Sequence, residues 1–412
     1  MTRINGNRLI SDLRELAAIG AYQTGVDRTA LSAKDIEARR WLVDKLQHAG
    51  LDSAMDRVGN VLGRMSKAEK SILIGSHTDT VPKGGWLDGA LGVVYALEIA
   101  RSAIEENASL ATGIDVISFQ DEEGTFLPFL GSRSFFGDLD EAEIAAAKSK
   151  DGASLTAALQ MIAAEPPPHR FDRRRQTCYL EAHIEQGPRM EAAGRRIGVV
   201  SGLVGIRRFR IRSEGAANHA GTTPMALRRD AGAALIEFAA AINAEFRGLA
   251  DADTVWNIGS MIFRPGAPNV VPGDAELVLE LRDIKAAVMD RLEARLRELA
   301  AARSGTIGID VETTTRIPPT DLAENLGAAI AAAATGRGET PVHLPSGAGH
   351  DAMVAARFMP AAMMFVPSIG GISHDVRENT SDADIIFGCE VLADVVAQLR
   401  RQSIPERHAL SL

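Results

Sequence analysis

Cysteine is almost missing from this chain. Cys178 and Cys389 are the two in 412 residues, too few for a disulfide framework, so a reducing, cytoplasmic setting is the expectation. Long apolar runs are missing as well. None approaches the roughly 20 residues that a membrane-spanning helix needs, and the polar opening Met1-Thr2-Arg3-Ile4-Asn5-Gly6 does not read as a signal peptide. Positive charge is in deficit: 45 Lys and Arg against 54 Asp and Glu leave a formal charge of −9. With no basic stripe interleaved with aromatics, nucleic acid is excluded as a main partner. Neither G-x-x-x-x-G-K-[ST] nor G-x-G-x-x-G occurs, so no nucleotide site is expected. Solenoid repeats and a long disordered tail are not expected either. What remains is an ordinary globular composition, 46% hydrophobic, long enough for two or three domains.

The chain is organised around Ser71–Gly92, S-I-L-I-G-S-H-T-D-T-V-P-K-G-G-W-L-D-G-A-L-G. Ile72, Leu73 and Ile74 read as a short buried strand that delivers His77 and Asp79 to its C-terminal end. In open α/β sheets that edge is where ligands sit. Asp88 follows a Pro/Gly loop and stands before an alanine- and leucine-rich helix. An imidazole and a carboxylate facing one crevice suit a zinc- or manganese-type ion, and Asp79 is placed to accept the other N–H of His77. Alone, Asp79 and Asp88 read equally well as turn and N-cap residues.

A second strand, Gly113–Gln120, runs into Asp121-Glu122-Glu123-Gly124. Three carboxylates at a buried strand end repel one another unless cations are near. One can ligate a metal while its neighbour moves protons, the division of labour that metal-assisted hydrolysis needs. A third strand, Thr177–Gln186, places His183, Glu185 and Gln186 near its end. His48, His169, His343 and His408 lie in polar, helical-surface or terminal contexts and carry no assignment.

Along the chain, helices are expected at Asn7–Ala18, Ala33–Ala49, from Gly89 to about Ala103, and at Ala142–Ala164. A strand pair is expected within Leu51–Arg64. Gly124–Gly137, broken by Pro128 and two glycines, reads as a loop packed over the site. From Ile206 the pattern becomes strand Ile206–Ser213, helix Leu227–Phe246, strands Thr254–Phe263 and Ala275–Asp283, helix Ala286–Ala302 and strand Thr306–Thr315. That β-α-β-β-α-β series is the ferredoxin-like order. The organisation expected is therefore a catalytic domain over 1–205 and 318–412, with an inserted domain at 206–317 and Pro318-Pro319 marking the return.

Eight motifs occur together and in order: G-S-H-T-D-T-V-P-K-G-G-W-L-D-G-A-L-G-V, D-E-E-G, Y-L-E-A-H-I-E-Q-G-P, N-H-A-G-T-T-P-M, P-N-V-V-P-G, L-R-D, S-G-A-G-H-D-A and S-H-D-V-R-E-N-T. Over nearly its whole length the chain resembles the amidase/hydantoinase/carbamoylase family of dinuclear-metal amidohydrolases, which includes N-carbamoyl-L-amino acid hydrolase, β-ureidopropionase and allantoate amidohydrolase. The resemblance implies an α/β, zinc-peptidase-like catalytic domain with an inserted ferredoxin-like dimerisation and lid domain. It implies His77, Asp88, Glu123, His183 and His374 as ligands to two divalent ions, with Asp88 bridging and Glu122 as the general base that activates water. His219 and Asn269 match residues supplied to the active site by the partner subunit of a homodimer. Arg282 matches the grip on a substrate carboxylate, Gln186 a substrate contact, and Glu378 an outer carboxylate near the last histidine. His350 lies in a matching loop without an assigned role.

One departure stands out. After Glu-Glu-Gly the family usually reads Ser/Thr-Arg-Phe and a longer run. Here Thr125-Phe126-Leu127-Pro128-Phe129-Leu130 replaces the arginine with Phe126 and shortens the loop, implying a more apolar rim. The expected activity is hydrolysis of a linear ureido or amide bond in a small carboxylate-bearing molecule. N-carbamoyl amino acids come first, allantoate-type ureido acids second, and N-acyl amino acids or dipeptides third. A metal-binding dimeric scaffold without catalysis is the rival of another class. The retained Glu122 argues against it, since a scaffold needs no base.

Overall fold

The computed structural model describes residues 3–106, 112–303 and 307–401. Thr306, expected to open a strand, lies outside the described residues, as do His408 and the segment 402–412 where a long tail was not expected. The protein is mixed α/β and divides into two compact units: Met1–Ser201 with Asp321–Leu344 and Ala348–Leu412, and Gly202–Thr320 with Pro345–Gly347.

The first unit is built on four neighbouring parallel strands, Thr112–Phe119, Lys70–His77, Gln176–Ile184 and Ala361–Val366. They are buried almost throughout, which is why they read as continuous apolar runs rather than as an alternation. Antiparallel strands continue the sheet, Val61–Arg64 and Asp52–Met55 on one side and Gly198–Leu203 on the other. Helix Ala90–Glu105 is buried nearly all round, packed between the sheet and the helices Gly6–Ala18 and Asp382–Arg401. Helix Ala33–His48 begins at Ser32, whose hydroxyl accepts the Asp35 N–H, a cap worth about 1 kcal/mol. Because the four central strands are parallel, their C-terminal ends share one edge of the sheet.

In the second unit, strands Gly205–Glu214, Val255–Arg264, Asp274–Asp283 and Ile309–Ile317 form an antiparallel sheet. Helices Ala231–Leu249 and Ala286–Ala301 pack on it. Alternation is clean here: Ala275, Leu277, Leu279 and Leu281 point into the core, and their neighbours do not.

Three local expectations need correction. Ala142–Ala164 is not one helix but Glu141–Ala146, Leu155–Leu159 and a short turn of 3₁₀ helix at Gln160–Ile162. The polar run Lys148-Ser149-Lys150-Asp151-Gly152 turns between them, with Gly152 at φ 89°. Gly124–Gly137 is not all loop, since Leu130–Phe136 is helical and buries Leu130, Phe135 and Phe136. The helix expected from Leu227 begins at Ala231, where the Asp230 carboxylate accepts the Ala233 N–H.

Candidate active site

The shared strand edge gathers the first unit's chemistry. His77 is the last residue of its strand, Asp121, Glu122 and Glu123 come just after the strand that ends at Phe119, His183 lies at the end of Gln176–Ile184 with Gln186 two residues past it, and His374 lies in the loop after Val366. Asp88 sits at the centre. Its Oδ1 is 3.0 Å from His183 Nε2 and 4.0 Å from His77 Nε2, and its Oδ2 is 3.2 Å from His374 Nε2. Glu123 Oε1 is 3.5 Å from His374 Nε2, and Glu122 Oε2 is 3.6 Å from His77 Nε2. Three overlapping groups result: His77, Asp88 and His183; His77, Glu122 and Glu123; and Asp88, Glu123 and His374. The first is fully buried, whereas His374 is half exposed.

The imidazoles are oriented by their far nitrogens. His77 Nδ1 is 3.0 Å from the Asp79 carbonyl, and His183 Nδ1 is 2.9 Å from the Ile184 carbonyl. A carbonyl accepts only, so each Nδ1 carries a proton, and in the neutral rings the Nε2 lone pairs face the acidic cluster, that of His183 toward Asp88 and that of His77 toward Glu122 and Asp88. The expected His77 to Asp79 link is thus made by the Asp79 main chain and not its carboxylate. That carboxylate faces Arg39 and accepts the Asp121 and Glu123 N–H groups instead. Gly89, at φ 64°, lies so close to the His77 ring that a Cβ there would collide with it.

Lone pairs of two imidazoles facing a central carboxylate, among further carboxylates, form an arrangement that a cation or protons must satisfy. Glu123 Oε1 is buried with no hydrogen-bond partner among the described residues. Burial, then the charges of Asp88 and Asp79, push the Glu123 carboxyl up to about 10. Burial, then Glu123, Asp351 and Asp88, hold Glu122 well above the ordinary carboxylate range. Asp88 moves the other way: burial opposes its charge, but His183 and His374, which bond it when their rings are protonated, hold it well below its usual value. Burial alone would lower the His183 imidazole, yet the Asp88 bond lifts it above normal. His374 is raised chiefly by Asp88. The donor set, imidazole nitrogen with carboxylate oxygen, fits divalent ions of the zinc or manganese type.

Gln186 stands beside this cluster. Its amide nitrogen donates to Asp88 Oδ1 at 3.3 Å and Oδ2 at 3.2 Å, and to Ser373 Oγ at 3.2 Å. Glu378 lies behind it, accepting from Ser373 Oγ at 2.7 Å. Asp121, Gln186 and His374 all have left-handed backbones, with φ of 55°, 57° and 55°. Strain of this kind persists only where surrounding contacts over-determine it, and it clusters at functional sites.

Reasoning from sequence did not foresee the parts that several residues play here. The Asp121 carboxylate accepts the N–H groups of Thr125, Phe126 and Leu127, and so shapes the short loop. Phe126 is half-buried and packs on the core. Phe129 is the side chain that reaches the glycine-rich loop, against Gly349. Next in that loop, buried His350 packs on His183 with ring centroids 4.4 Å apart. Arg39 carried a signal that could have been read: it is an i,i+4 partner of Asp35 on the buried face of its helix.

In the second unit, exposed His219 and Asn269 come together, His219 in the two-residue strand Asn218–His219 and Asn269 in the turn before its partner strand Val270–Val271. The Ala220 N–H donates to the Asn269 carbonyl at 2.9 Å, and His219 pairs with Val270. His219 Nδ1 accepts from the Gly221 and Thr222 N–H groups at 3.0 and 3.1 Å, so its proton is on Nε2. Arg282 bonds Glu280 Oε1 at 2.9 Å and the Gly347 carbonyl at 2.7 Å.

Comparison with known proteins decides the lineage. Residues 73–398 match the model of peptidase family M20/M25/M40. The chain belongs to this family. Within it, the chain is 34% identical to an N-carbamoyl-L-amino acid amidohydrolase from Geobacillus stearothermophilus, over 96% of this chain and 99% of that one. It is 32% identical to an allantoate amidohydrolase from Escherichia coli, over 94% and 96%. Among solved structures, an amidase of the hydantoinase/carbamoylase family from Burkholderia phymatum superposes with a TM-score of 0.91 at 46% identity, covering 97% of this chain and 98% of that one.

Proposed function

We propose that the chain hydrolyses the ureido C–N bond of an N-carbamoyl amino acid, releasing the amino acid, carbon dioxide and ammonia. The observation that carries this reading is the cluster around Asp88 with Glu122 at its edge, 3.6 Å from His77 Nε2, in a chain so alike an N-carbamoyl-L-amino acid amidohydrolase along its full length.

His77, Asp88, Glu123, His183 and His374 would hold two divalent ions, zinc or manganese before cobalt or nickel. Such ions, when bound, supply Lewis acidity and lower the pKa of water toward about 7. Glu122 takes the proton from the attacking water and returns it to the leaving nitrogen. Its buried carboxyl, raised well above the usual range, suits a group that both accepts and donates. Gln186 orients the substrate beside the cluster.

The second unit is read as a dimerisation and lid domain. His219 presents Nε2–H and Asn269 its amide to the developing oxyanion of the partner subunit, where loss of one donor commonly costs roughly 3–4 kcal/mol. Arg282 grips the substrate carboxylate with the planar fork that lysine lacks. Supporting this, His219 and Asn269 are exposed, adjacent and without a role in that unit's core. Among the described residues no helix is long and apolar enough to cross a membrane. Both cysteines are buried free thiols, which agrees with a cytoplasmic enzyme.

The test is hydrolysis of a panel of N-carbamoyl amino acids, allantoate and N-acyl amino acids, read as ammonia from the ureido substrates and as free amino acid from the N-carbamoyl and N-acyl ones, with zinc, manganese, cobalt and nickel in turn. Turnover highest on an N-carbamoyl amino acid supports the reading. Preference for allantoate or an N-acyl substrate overturns the substrate assignment, and no turnover with ions bound favours the scaffold.

A further inference from the structure

A single buried cation ties together the two strand ends that carry His77 and the Glu122-Glu123 turn. Arg39 lies on helix Ala33–His48 and is fully buried. Its Nε donates to Asp35 Oδ1 at 2.9 Å and its Nη1 to the Gly59 carbonyl at 3.0 Å. Its Nη2 faces the site, donating to the Phe119 carbonyl at 3.0 Å and to Asp79 Oδ1 at 3.2 Å. Asp79 passes the contact on. Its Oδ1 accepts the Asp121 N–H at 3.1 Å, its Oδ2 accepts the Glu123 N–H at 3.4 Å, and its carbonyl faces His77 Nδ1 at 3.0 Å.

We propose that Arg39 is a positioning residue for Glu122, Glu123 and His77, acting through Asp79. Two adjacent parallel strands end side by side at His77 and Phe119, and beyond them the ladder no longer fixes their separation. The backbone then turns at Asp121 into the left-handed region, a conformation that neighbouring contacts must enforce. Arg39 Nη2 supplies one such contact on each side, at the Phe119 carbonyl and the Asp79 carboxylate, while Nε and Nη1 fix the guanidinium plane against Asp35 and the Gly59 carbonyl. A lysine has the charge but no further nitrogens to anchor that donor against Asp35 and Gly59. The guanidinium also offsets Asp79, which otherwise adds a charge to the three carboxylates of the turn. Asp35 completes the device by holding Nε, while its other oxygen accepts from Gln120 Nε2 at 2.7 Å, the residue just before the turn.

This inference rests on the reading of Glu122 as base and of His77 and Glu123 as ligands, and its test is built to fail separately from that reading. Arg39→Gln and Arg39→Lys are compared with Arg175→Gln. Arg175, partly buried, makes a two-pronged ion pair with Asp115 of the Thr112–Phe119 strand and serves as the control for losing an arginine that bonds the same sheet away from the site. Zinc and manganese affinities are measured on metal-stripped protein by chelator competition, alongside kcat, KM and melting temperature. Arg39→Gln is expected to weaken metal binding 10–100-fold and to lower kcat about a hundredfold with KM within threefold, as misplacement of a reacting group does. Arg39→Lys is expected to recover less than a tenth of the lost kcat. Arg175→Gln is expected to melt earlier while keeping metal affinity and kcat. If Arg39→Gln does not fold, the lysine variant carries the same comparison. Wild-type metal affinity and kcat in the Arg39 variants, losses matched by Arg175→Gln, or full recovery by lysine would each overturn the proposal. The roles of Glu122 and Glu123 would stand or fall on their own variants.

Discussion

Glu378 Oε1 accepts the backbone N–H of Asp88 at 3.0 Å, and that of Leu87 at 3.1 Å. The central acid of the cluster is therefore held from behind by a carboxylate in the loop that also carries His374. Gly85 leaves the room for it, since a Cβ there would collide with the Glu378 carboxylate. Removing that acceptor should loosen Asp88. Glu378→Ala is expected to weaken binding of divalent ions about 10–100-fold, read by chelator competition. Glu378→Gln, which keeps a carbonyl acceptor, should weaken it less. Equal losses in the two variants would count against the hydrogen bonds as the cause.

Glu122→Gln should keep the fold and the ions yet lose about 10²–10⁴-fold in kcat, the usual worth of general acid–base catalysis. The amide is nearly isosteric but accepts no proton. Near wild-type kcat with the ions bound would place the base elsewhere.

The Glu123 carboxyl, pushed up to about 10 by burial and the neighbouring acids, keeps its proton at neutral pH in the metal-free chain. The unfolded chain sheds that proton near its ordinary value of 4.5. A raised folded pKa therefore contributes stability that is complete below about 4.5 and lost as pH rises toward 10. Ligation needs the carboxylate, so ion binding expels the proton. Calorimetric titration at pH 7 should give an enthalpy that changes with the buffer's ionisation enthalpy, and affinity should rise with pH. A buffer-independent enthalpy would show Glu123 already ionised.

Mixing inactive Glu122→Gln protein with inactive His219→Ala protein, under conditions that exchange subunits, should restore activity. If the second unit serves the partner's site, a mixed dimer carries one site with both defects and one with neither. Fully active monomers in sedimentation and assay, or no recovery after proven exchange, would exclude the shared site.

Much of this was legible in the sequence because the informative residues sit where buried strands stop. The apolar runs Ile72–Ile74 and Ala361–Val366, and the residues just after each strand, announce themselves without knowledge of the fold. Convergence is different. Nothing local says that Arg39, on an otherwise ordinary helix, reaches the Asp79 carboxylate, or that Asp79 turns its carbonyl and not its side chain to His77. Those contacts depend on how a helix lies across two strand ends. Asp121 was masked by its neighbours: in a run of three acids, the one that shapes the loop looks the same as the two that face the cluster. Phe129 was overlooked for a similar reason, because which phenylalanine of the short loop turns toward Gly349 depends on a left-handed residue at its own position.

The shared edge of four parallel strands has a further consequence. Its candidate ligands run from His77 to His374, so cations can bind tightly only when nearly the whole first unit is folded. Binding to the native state alone adds RT ln(1 + [L]/Kd), about 2.7 kcal/mol at a hundredfold excess over Kd. Heat resistance should then follow the free concentration of the ion, and chelation should act as a denaturant at temperatures the loaded protein withstands. A substitution anywhere along that edge will register first as a leak of metal and only later as unfolding.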